Sequence, residues 1–298
     1  RQRQMCIRDS DKCIQLSGTD MAPATVQRYE TSLKHTRDFV WETYHKKDVL
    51  LDEVSRQFIE DYEFWLKTEK KCCHNTATKY LKNFKKIIRI ALAKGWMKND
   101  PFLEIRFSLD KVEPDFLEDS EIQKLISKEI DIPRLSQVRD IFVFCCFTGL
   151  AFSDIHGLRK EHIVEDSNGV RWIRKGRQKT KIMCNIPLIE IPLKILEKYS
   201  TNEYCKKYGV LFPVLCNQKM NAYLKELADI CGIKKTLTTH VGRHTFATFA
   251  LANGVSIESV AKMLGHTNVQ MTRHYARVLD RTVIREMSQI KMDLHFSM

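Results

Sequence analysis

No apolar run in this sequence reaches the roughly 20 residues that a membrane-spanning helix requires. The first residues also lack the hydrophobic core of a signal peptide. The ten cysteines show no C-x-x-C spacing, and the chain is too long and too helical in pattern for a disulfide scaffold. We therefore expect no membrane association, and buried free thiols in a reducing cytoplasm.

Charge is the first positive feature of the chain. Its 49 lysines and arginines against 37 acidic residues give a net charge of +12 and a pI near 9.2. Such an excess indicates a polyanionic partner, with nucleic acid ahead of a membrane surface, although some basic proteins are merely soluble. The 298 residues are enough for two domains, each with its own core.

The first half of the chain has a helical pattern from about Pro23 to Trp96. Ser55 is a good N-cap, and apolar residues follow it on one stripe. The segment from Pro101 to Pro114 has the pattern of a linker. We expect a disordered leader at residues 1–20, a first, helical domain at 21–104, a linker at 105–115, and a second domain with a C-terminal tail at 116–298.

A helix opened by Asn75 carries a basic face that contains no acidic residue. Lysine-rich faces are often only solvated surface, but this run has a single sign and continues through Lys94 and Lys98. We favour contact with nucleic-acid phosphates for this face, which comprises Lys79, Lys82, Lys85, Lys86 and Arg89.

The pattern changes from helical to alternating after residue 160. Three short strands are predicted, at 162–165, 170–174 and 181–187, between helices on either side. The expected fold is therefore mainly α with a small antiparallel β-sheet (α+β). The turn between the last two strands is basic, which suits contact with a phosphate backbone through Arg174, Lys175 and Arg177.

Polar residues recur on three short predicted helices near the end of the chain. His240 and Arg243 lie one turn apart on the first helix. A second helix ends at a glycine and leaves His266 in the following turn. A third helix, over residues 268–279, carries Tyr275. A hairpin of helices of this kind can bring these side chains to one site.

These residue types suit phosphodiester chemistry without a metal. A tyrosine hydroxyl becomes a nucleophile only when cations meet its developing charge. A guanidinium matches two non-bridging phosphate oxygens, and an imidazole exchanges a proton near neutral pH. A lysine on the β-hairpin could protonate the leaving 5′-oxygen. The chain supplies these groups as Tyr275, Arg243, His240, His266 and Lys179.

The ordered set resembles the tyrosine recombinase (phage integrase) family. That family has a hairpin lysine, then H-x-x-R-H, then L-G-H, and a nucleophilic tyrosine nine residues after the last histidine. Over roughly residues 23–280, this sequence shows Lys179-Thr180, His240-Val-Gly-Arg243-His244, Leu264-Gly265-His266 and Tyr275 in the same order. The resemblance implies that Lys179, His240, Arg243 and His266 form the catalytic cluster, and that His244 is structural.

The resemblance also implies a function and partners. A helical core-binding domain would precede a catalytic domain that cuts and rejoins DNA through a 3′-phosphotyrosine, for integration or excision of a mobile element. Double-stranded DNA and a homotetramer on DNA are the implied partners, with accessory DNA-bending proteins as further candidates, no cofactor and no metal. The expected location is the bacterial cytoplasm, at the nucleoid. The partly amphipathic tail, residues 281–298, would pack on a neighbouring protomer or on its own domain.

The sequence departs from the family at one position. The family usually has an arginine directly after Thr-Gly-Leu, whereas this chain has Ala151 there. Loss of one such donor costs on the order of 3 kcal/mol of transition-state stabilisation. Arg139 on the preceding helix is the first candidate for a replacement, and Arg159 is the second. The alternative is that Arg139, at the start of its helix, faces solvent or pairs in the neighbourhood of Asp140.

Two other functions stay open at this point. Ala151 permits a degenerate relative that binds DNA without cutting it. The histidines His240, His244 and His266 could instead ligate zinc in a hydrolase, since the i, i+4 spacing is compatible with that metal. Arg243 lies between two of these ligands and would oppose a bound cation.

Overall fold

A computed structural model describes residues 23–275 of the chain. These residues belong to two units, one ending at Val112 and the other beginning at Glu113. The first unit is helical, with a short 3-10 turn at Leu51–Glu53 between its first two helices. Its helices are α1 (Pro23–Tyr44), α2 (Arg56–Thr68) and α3 (His74–Ala93).

The core of the first unit is built from aromatic rings. Phe39 of α1 is fully buried, and its ring centroid lies 5.1 Å from that of Phe58 and 5.0 Å from that of Tyr62, both on α2. Phe84 of α3 meets Tyr62 edge to face at 5.9 Å. Ser55 caps α2 by accepting the backbone N–H of Phe58, so this helix begins where its cap predicts.

The second unit combines helices with one small sheet. Its elements, in chain order, are α4 (Asp119–Ser127), α5 (Pro133–Thr148), α6 (Phe152–His156), β1 (Ile163–Glu165), β2 (Arg171–Gly176), β3 (Met183–Pro187), α7 (Glu190–Tyr199), α8 (Glu203–Tyr208), α9 (Asn217–Ile230), α10 (Thr239–Ala252), α11 (Ile257–Leu264) and α12 (Gln270–Arg273).

The sheet is antiparallel with strand order β1-β2-β3. Ile173 of β2 pairs with Ile163 on one side and with Ile186 on the other. Ile173 and Ile186 are almost fully buried, so one face of the sheet packs on the core. The β1–β2 turn is closed by Asp166, whose carboxylate accepts the backbone N–H groups of Asn168 and Val170.

Helix α5 forms the centre of this unit, and α10 packs directly against it. Every residue of α5 from Ile141 to Thr148 is buried. The close approach of α10 depends on Gly242, because a Cβ at that position would lie 3.2 Å from the Phe142 ring and 3.3 Å from Cys145. The first turns of α10 are thereby held against the C-terminal half of α5.

The fold class predicted from the sequence is confirmed, with two differences in detail. Helix α8 was not predicted. The predicted helix over 268–279 is represented among the described residues by α12 alone. The backbone N–H of Tyr275 bonds to the Thr272 carbonyl in a tight turn, so Tyr275 follows the helix.

Several expectations concern residues beyond the described range or are met only in part. The predicted leader and tail lie outside residues 23–275. The eight cysteines within that range are free, but Cys73 and Cys216 are exposed, so the expectation of buried thiols holds for only some of them. No helix within residues 23–275 is long and apolar enough to cross a membrane.

Replacement of Gly149 by alanine should destabilise the protein more than the same change at Gly209. Both glycines end helices in the left-handed conformation, with φ of 67° and 65°, so both variants lose roughly 1–2 kcal/mol to backbone strain. Only the Cβ at residue 149 meets packed atoms, at 2.4 Å from the Phe246 ring, which adds about 1–3 kcal/mol. Urea unfolding of both variants measures the difference, and equal losses would contradict this account.

Candidate active site

The buried guanidinium of Arg243 joins three segments of the second unit. Arg243 lies on α10 and is only 2% exposed. Its Nη1 donates to the Gly149 carbonyl at 2.6 Å, and its Nη2 donates to the Leu264 carbonyl at 2.6 Å. These carbonyls end α5 and α11, where the helix dipole is negative and favours a cation. Burial, followed by the charge of Arg177, lowers the pKa of Arg243 to about 10, so it stays protonated at neutral pH.

His266 is fixed in one neutral tautomer by its two neighbours. The Nη2 of Arg243 lies 3.1 Å from His266 Nε2, and a guanidinium can only donate, so Nε2 is the acceptor. The ring proton is therefore on Nδ1, which donates to Thr272 Oγ1 at 2.8 Å. Burial and the charges of Arg243 and Arg177 lower the pKa of His266 to about 4. The imidazole is thus neutral at pH 7.

Tyr275 lies among imidazole rings beside this cluster. Its ring centroid is 5.1 Å from that of His244 and 6.3 Å from that of His266, to which it is nearly parallel. Burial raises the pKa of Tyr275, while the charges of Arg243 and Arg177 act in the opposite direction. The phenol is therefore neutral in the free protein, but it lies within the field of two arginines.

His240 and His244 complete the histidine group on α10. Their rings meet edge to face at 4.3 Å. Burial and the neighbouring charges, first Arg243 and then Arg177 and Lys179, lower the pKa of His240. Burial lowers the pKa of His244 to about 4, with His240 as the next cause. Both imidazoles are therefore mainly neutral at pH 7.

The β2–β3 hairpin brings a second arginine to the cluster. The Arg177 side chain is 11% exposed, and its Nη1 lies 3.5 Å from the Gly265 carbonyl. Thr180 donates to the same carbonyl at 3.2 Å, which holds the hairpin against the end of α11. Gly265 permits this contact, because a Cβ there would lie 2.7 Å from Cys184 Sγ. Lys179, at the exposed tip, is close enough to lower the pKa of His240.

Arg139 does not lie in this cluster. This corrects the prediction that Arg139 takes the place of the arginine missing at Ala151. Its guanidinium donates to the Lys128 carbonyl at 2.7 Å and pairs with Asp140 at 3.1 Å. Arg139 precedes the Gly149 end of α5 by ten residues, which corresponds to about 15 Å along the helix. Arg159, the second candidate, lines a separate cavity beside Tyr199.

Some of the cations predicted to bind DNA are instead engaged within the protein. Lys175 donates to the Gly157 carbonyl at 2.8 Å and is partly buried. Lys85 donates to the Phe102 carbonyl at 3.2 Å, and its ammonium lies over the Phe102 and Phe107 rings. The remaining predicted phosphate contacts on α3 and β2 are exposed, namely Lys79, Lys82, Lys86, Arg89 and Arg174.

The arrangement gives no support to the zinc-site alternative. The Nε2 of His266, which would have to ligate the metal, accepts a hydrogen bond from Arg243. Across the described residues, no group of three or more histidine, cysteine or acidic side chains is placed to hold a metal ion.

Sequence reasoning missed three residues that shape the site. The sequence pattern puts Arg177 on the DNA-contacting surface of the hairpin and indicates no role for Asp154 or Thr272. Asp154 closely follows Ala151 in the sequence and is 2% exposed, and Thr272 is fully buried. The position of Asp154, so close to the family's usual arginine position, was the one signal in the sequence that pointed to a role in the site. Its partner Arg177 on the hairpin is determined only by tertiary packing.

Two family models match the chain. The phage integrase SAM-like domain matches residues 10–111, and the phage integrase family matches residues 115–282.

Known proteins are similar over most of the chain. The tyrosine recombinase of Pseudothermotoga lettingae is 30% identical over 267 residues, which cover 86% of this chain and 88% of that protein. A Tn1549 transposon integrase in complex with a circular intermediate DNA has a TM-score of 0.77 at 19% identity, covering 96% of this chain and 100% of its own. Lambda integrase, as a tetramer bound to a Holliday junction, has a TM-score of 0.74 at 16% identity, covering 99% and 81%.

The two solved structures share the fold of this chain, and the family models with the tyrosine recombinase relative fix its family. The chain belongs to the phage integrase family and is a tyrosine-type site-specific DNA recombinase.

Proposed function

We propose that Tyr275 is the nucleophile that cuts and rejoins DNA in this recombinase, and that the reaction integrates or excises a mobile element. The observation that carries this proposal is the position of the Tyr275 ring beside His244 and His266, within the field of Arg243 and Arg177. A phenol in that environment can be deprotonated next to a bound phosphate, because cations meet the charge that develops.

The reaction needs no external energy source. The phenolate oxygen of Tyr275 bonds to phosphorus as the bond to the 5′-oxygen breaks, and that oxygen leaves as a hydroxyl after taking a proton. A 5′-hydroxyl from a second duplex then attacks the phosphotyrosine. This attack re-forms a phosphodiester bond and frees the Tyr275 hydroxyl. The bond energy is conserved in the covalent intermediate, so no nucleotide cofactor takes part.

The cluster divides these tasks among its side chains. Arg243 uses three of its five N–H donors on Gly149, Leu264 and His266, and its remaining donors can bind the phosphate. His240, kept neutral by burial and nearby cations, is suited to accept the phenol proton. We assign the protonation of the leaving oxygen to Lys179, which lies on the exposed tip of the hairpin.

We assign the second phosphate-binding guanidinium to Arg177 in place of Arg139. The Arg177 side chain approaches Asp154, three residues beyond the alanine at the family's usual arginine position. Its charge lowers the pKa of His240, Arg243 and His266, so its electrostatic field acts on all three. A hairpin arginine thus supports the function that Ala151 would otherwise weaken.

The relatives support the remaining parts of the proposal. Lambda integrase is a tetramer bound to a Holliday junction in the structure described above, and we propose a homotetramer on DNA for this chain. The Tn1549 transposon integrase holds circular intermediate DNA, which supports a mobile-element substrate. In the first unit, the exposed side chains of Lys79, Lys82, Lys86 and Arg89 on α3 would contact its phosphates.

Tyr275→Phe should abolish covalent attachment to DNA while leaving DNA binding unchanged. A duplex from the end of the encoding element, nicked beside the scissile phosphate, traps the adduct because the short strand diffuses away. The adduct is measured on a denaturing gel. Tyr208→Phe is the matched control, because Tyr208 is exposed on α8. A wild-type protein that binds this DNA but never forms an adduct would instead be a degenerate DNA binder.

Arg177→Ala should slow adduct formation by about 10²–10³-fold, the usual cost of one lost donor to transition-state charge. Arg139→Ala should react at nearly the wild-type rate, because Arg139 is engaged with Asp140 and Lys128. Single-turnover cleavage of the nicked duplex measures both rates. The reverse order of the two rates would restore Arg139 as the missing arginine and remove Arg177.

Adduct formation should depend little on pH between 7.5 and 6.5. An ordinary imidazole base with a pKa of about 6.5 would be half protonated at the lower pH and lose about half of its activity. Burial and nearby cations lower the pKa of His240 and His266, so the loss of the neutral base moves to lower pH. A rate profile with a midpoint near pH 6.5 would show that neither perturbed imidazole is the base.

A further inference from the structure

Two buried charged groups face each other just beyond hydrogen-bonding distance next to the site. The Oδ2 atom of Asp154 and the Nε atom of Arg177 are buried, and neither has a hydrogen-bond partner among the described residues. The two atoms lie 4.0 Å apart, on side chains that are 2% and 11% exposed. A buried carboxylate oxygen and a buried guanidinium N–H are both strongly disfavoured without a partner. A movement of about 1 Å would satisfy both.

The other oxygen of Asp154 already holds the hairpin. Its Oδ1 accepts the backbone N–H of Gln178 at 2.9 Å. Gln178 lies between Arg177 and Lys179, so one carboxylate fixes the backbone between the two hairpin cations of the proposed mechanism. Asp154 itself lies on α6, which begins directly after Ala151. The carboxylate thus connects the segment that lacks the usual arginine to the segment that supplies one.

The charge of Asp154 acts on other groups of the same region. Burial lowers the pKa of both Lys175 and Arg243, and the charge of Asp154 opposes that lowering in each case. A buried anion in this position therefore stabilises the surrounding cations in their charged forms. It would also offset part of the repulsion between Arg177 and Arg243 when both approach one phosphate.

We propose that Asp154 is the positioning residue for Arg177: its free oxygen pairs with Arg177 Nε when a phosphate occupies the site, which draws the hairpin inward and aims the Nη atoms at the phosphate. This inference rests on the proposed function of Arg177. The pair with Asp154 uses only the Nε donor of the guanidinium. One N–H of Nη1 is directed at the Gly265 carbonyl, which leaves three of the four Nη donors for the phosphate. The same movement would carry Lys179 toward the leaving oxygen.

Asp154→Asn separates positioning by charge from simple support of the hairpin. The asparagine oxygen can still accept the Gln178 N–H, but its NH₂ group then faces Arg177 Nε, and two donors cannot pair. We expect normal thermal stability and DNA binding, with adduct formation slowed by roughly 10–100-fold, as for a displaced catalytic group. In the Arg177→Ala background the same change should have no further effect, whereas a purely structural role would add to it.

Asp166→Asn is the matched control, because Asp166 also accepts backbone N–H groups of a turn in the same sheet. It should leave the adduct rate unchanged. If the wild type forms the adduct and Asp154→Asn forms it equally fast, this inference is overturned and the proposed function stands. Absence of any wild-type adduct would overturn the proposed function instead.

A second measurement tests the role of Asp154 independently of DNA cleavage. Hydrogen–deuterium exchange of residues 176–182 is followed with and without inorganic phosphate. Phosphate should slow exchange in the wild type and in Asp166→Asn, but not in Asp154→Asn, because only the aspartate can close the pair. Equal protection in all three proteins, or none in the wild type, would contradict closure through Asp154.

Discussion

The buried guanidinium of Arg243 is the interaction on which the second unit depends. A cation in a protein interior is tolerated only when hydrogen bonds replace its water. Here the carbonyls at the ends of α5 and α11 and the imidazole of His266 provide that replacement. The same bonds fix the relative positions of two helix ends and of the turn that leads to Tyr275. The group proposed to bind the phosphate is therefore also a structural link, and the site is organised before DNA arrives.

Neutral imidazoles are a consequence of this arrangement. Burial and the arginine charges lower the pKa of His240 and His266, and the hydrogen bond from Arg243 places the His266 proton on Nδ1. In the proposed mechanism, a neutral base is then available beside a phenol whose own pKa is raised by burial. Catalysis would use the cations to stabilise charge and the imidazoles to move protons.

The hairpin compensates in the proposed mechanism for the alanine at residue 151. Arg177 reaches the cluster from β2–β3 rather than from the start of α6, so its position depends on contacts with Gly265 and Asp154. An arginine on a hairpin is less rigidly held than one on a helix. Two hydrogen bonds restrain this turn: Thr180 donates to the Gly265 carbonyl, and the Gln178 N–H donates to Asp154.

The sequence by itself determined the local structure and the identity of the chemistry. The cap at Ser55 and the glycine after Leu264 set helix ends, because capping depends only on neighbouring residues. The order of Lys179, His240, Arg243, His266 and Tyr275 was enough to indicate the family. Tertiary structure alone decided that Arg177 rather than Arg139 reaches the cluster, and that Lys175 and Lys85 bond to backbone carbonyls. These outcomes depend on how the hairpin and helices pack across long sequence separations, and residue spacing carries no information about that packing.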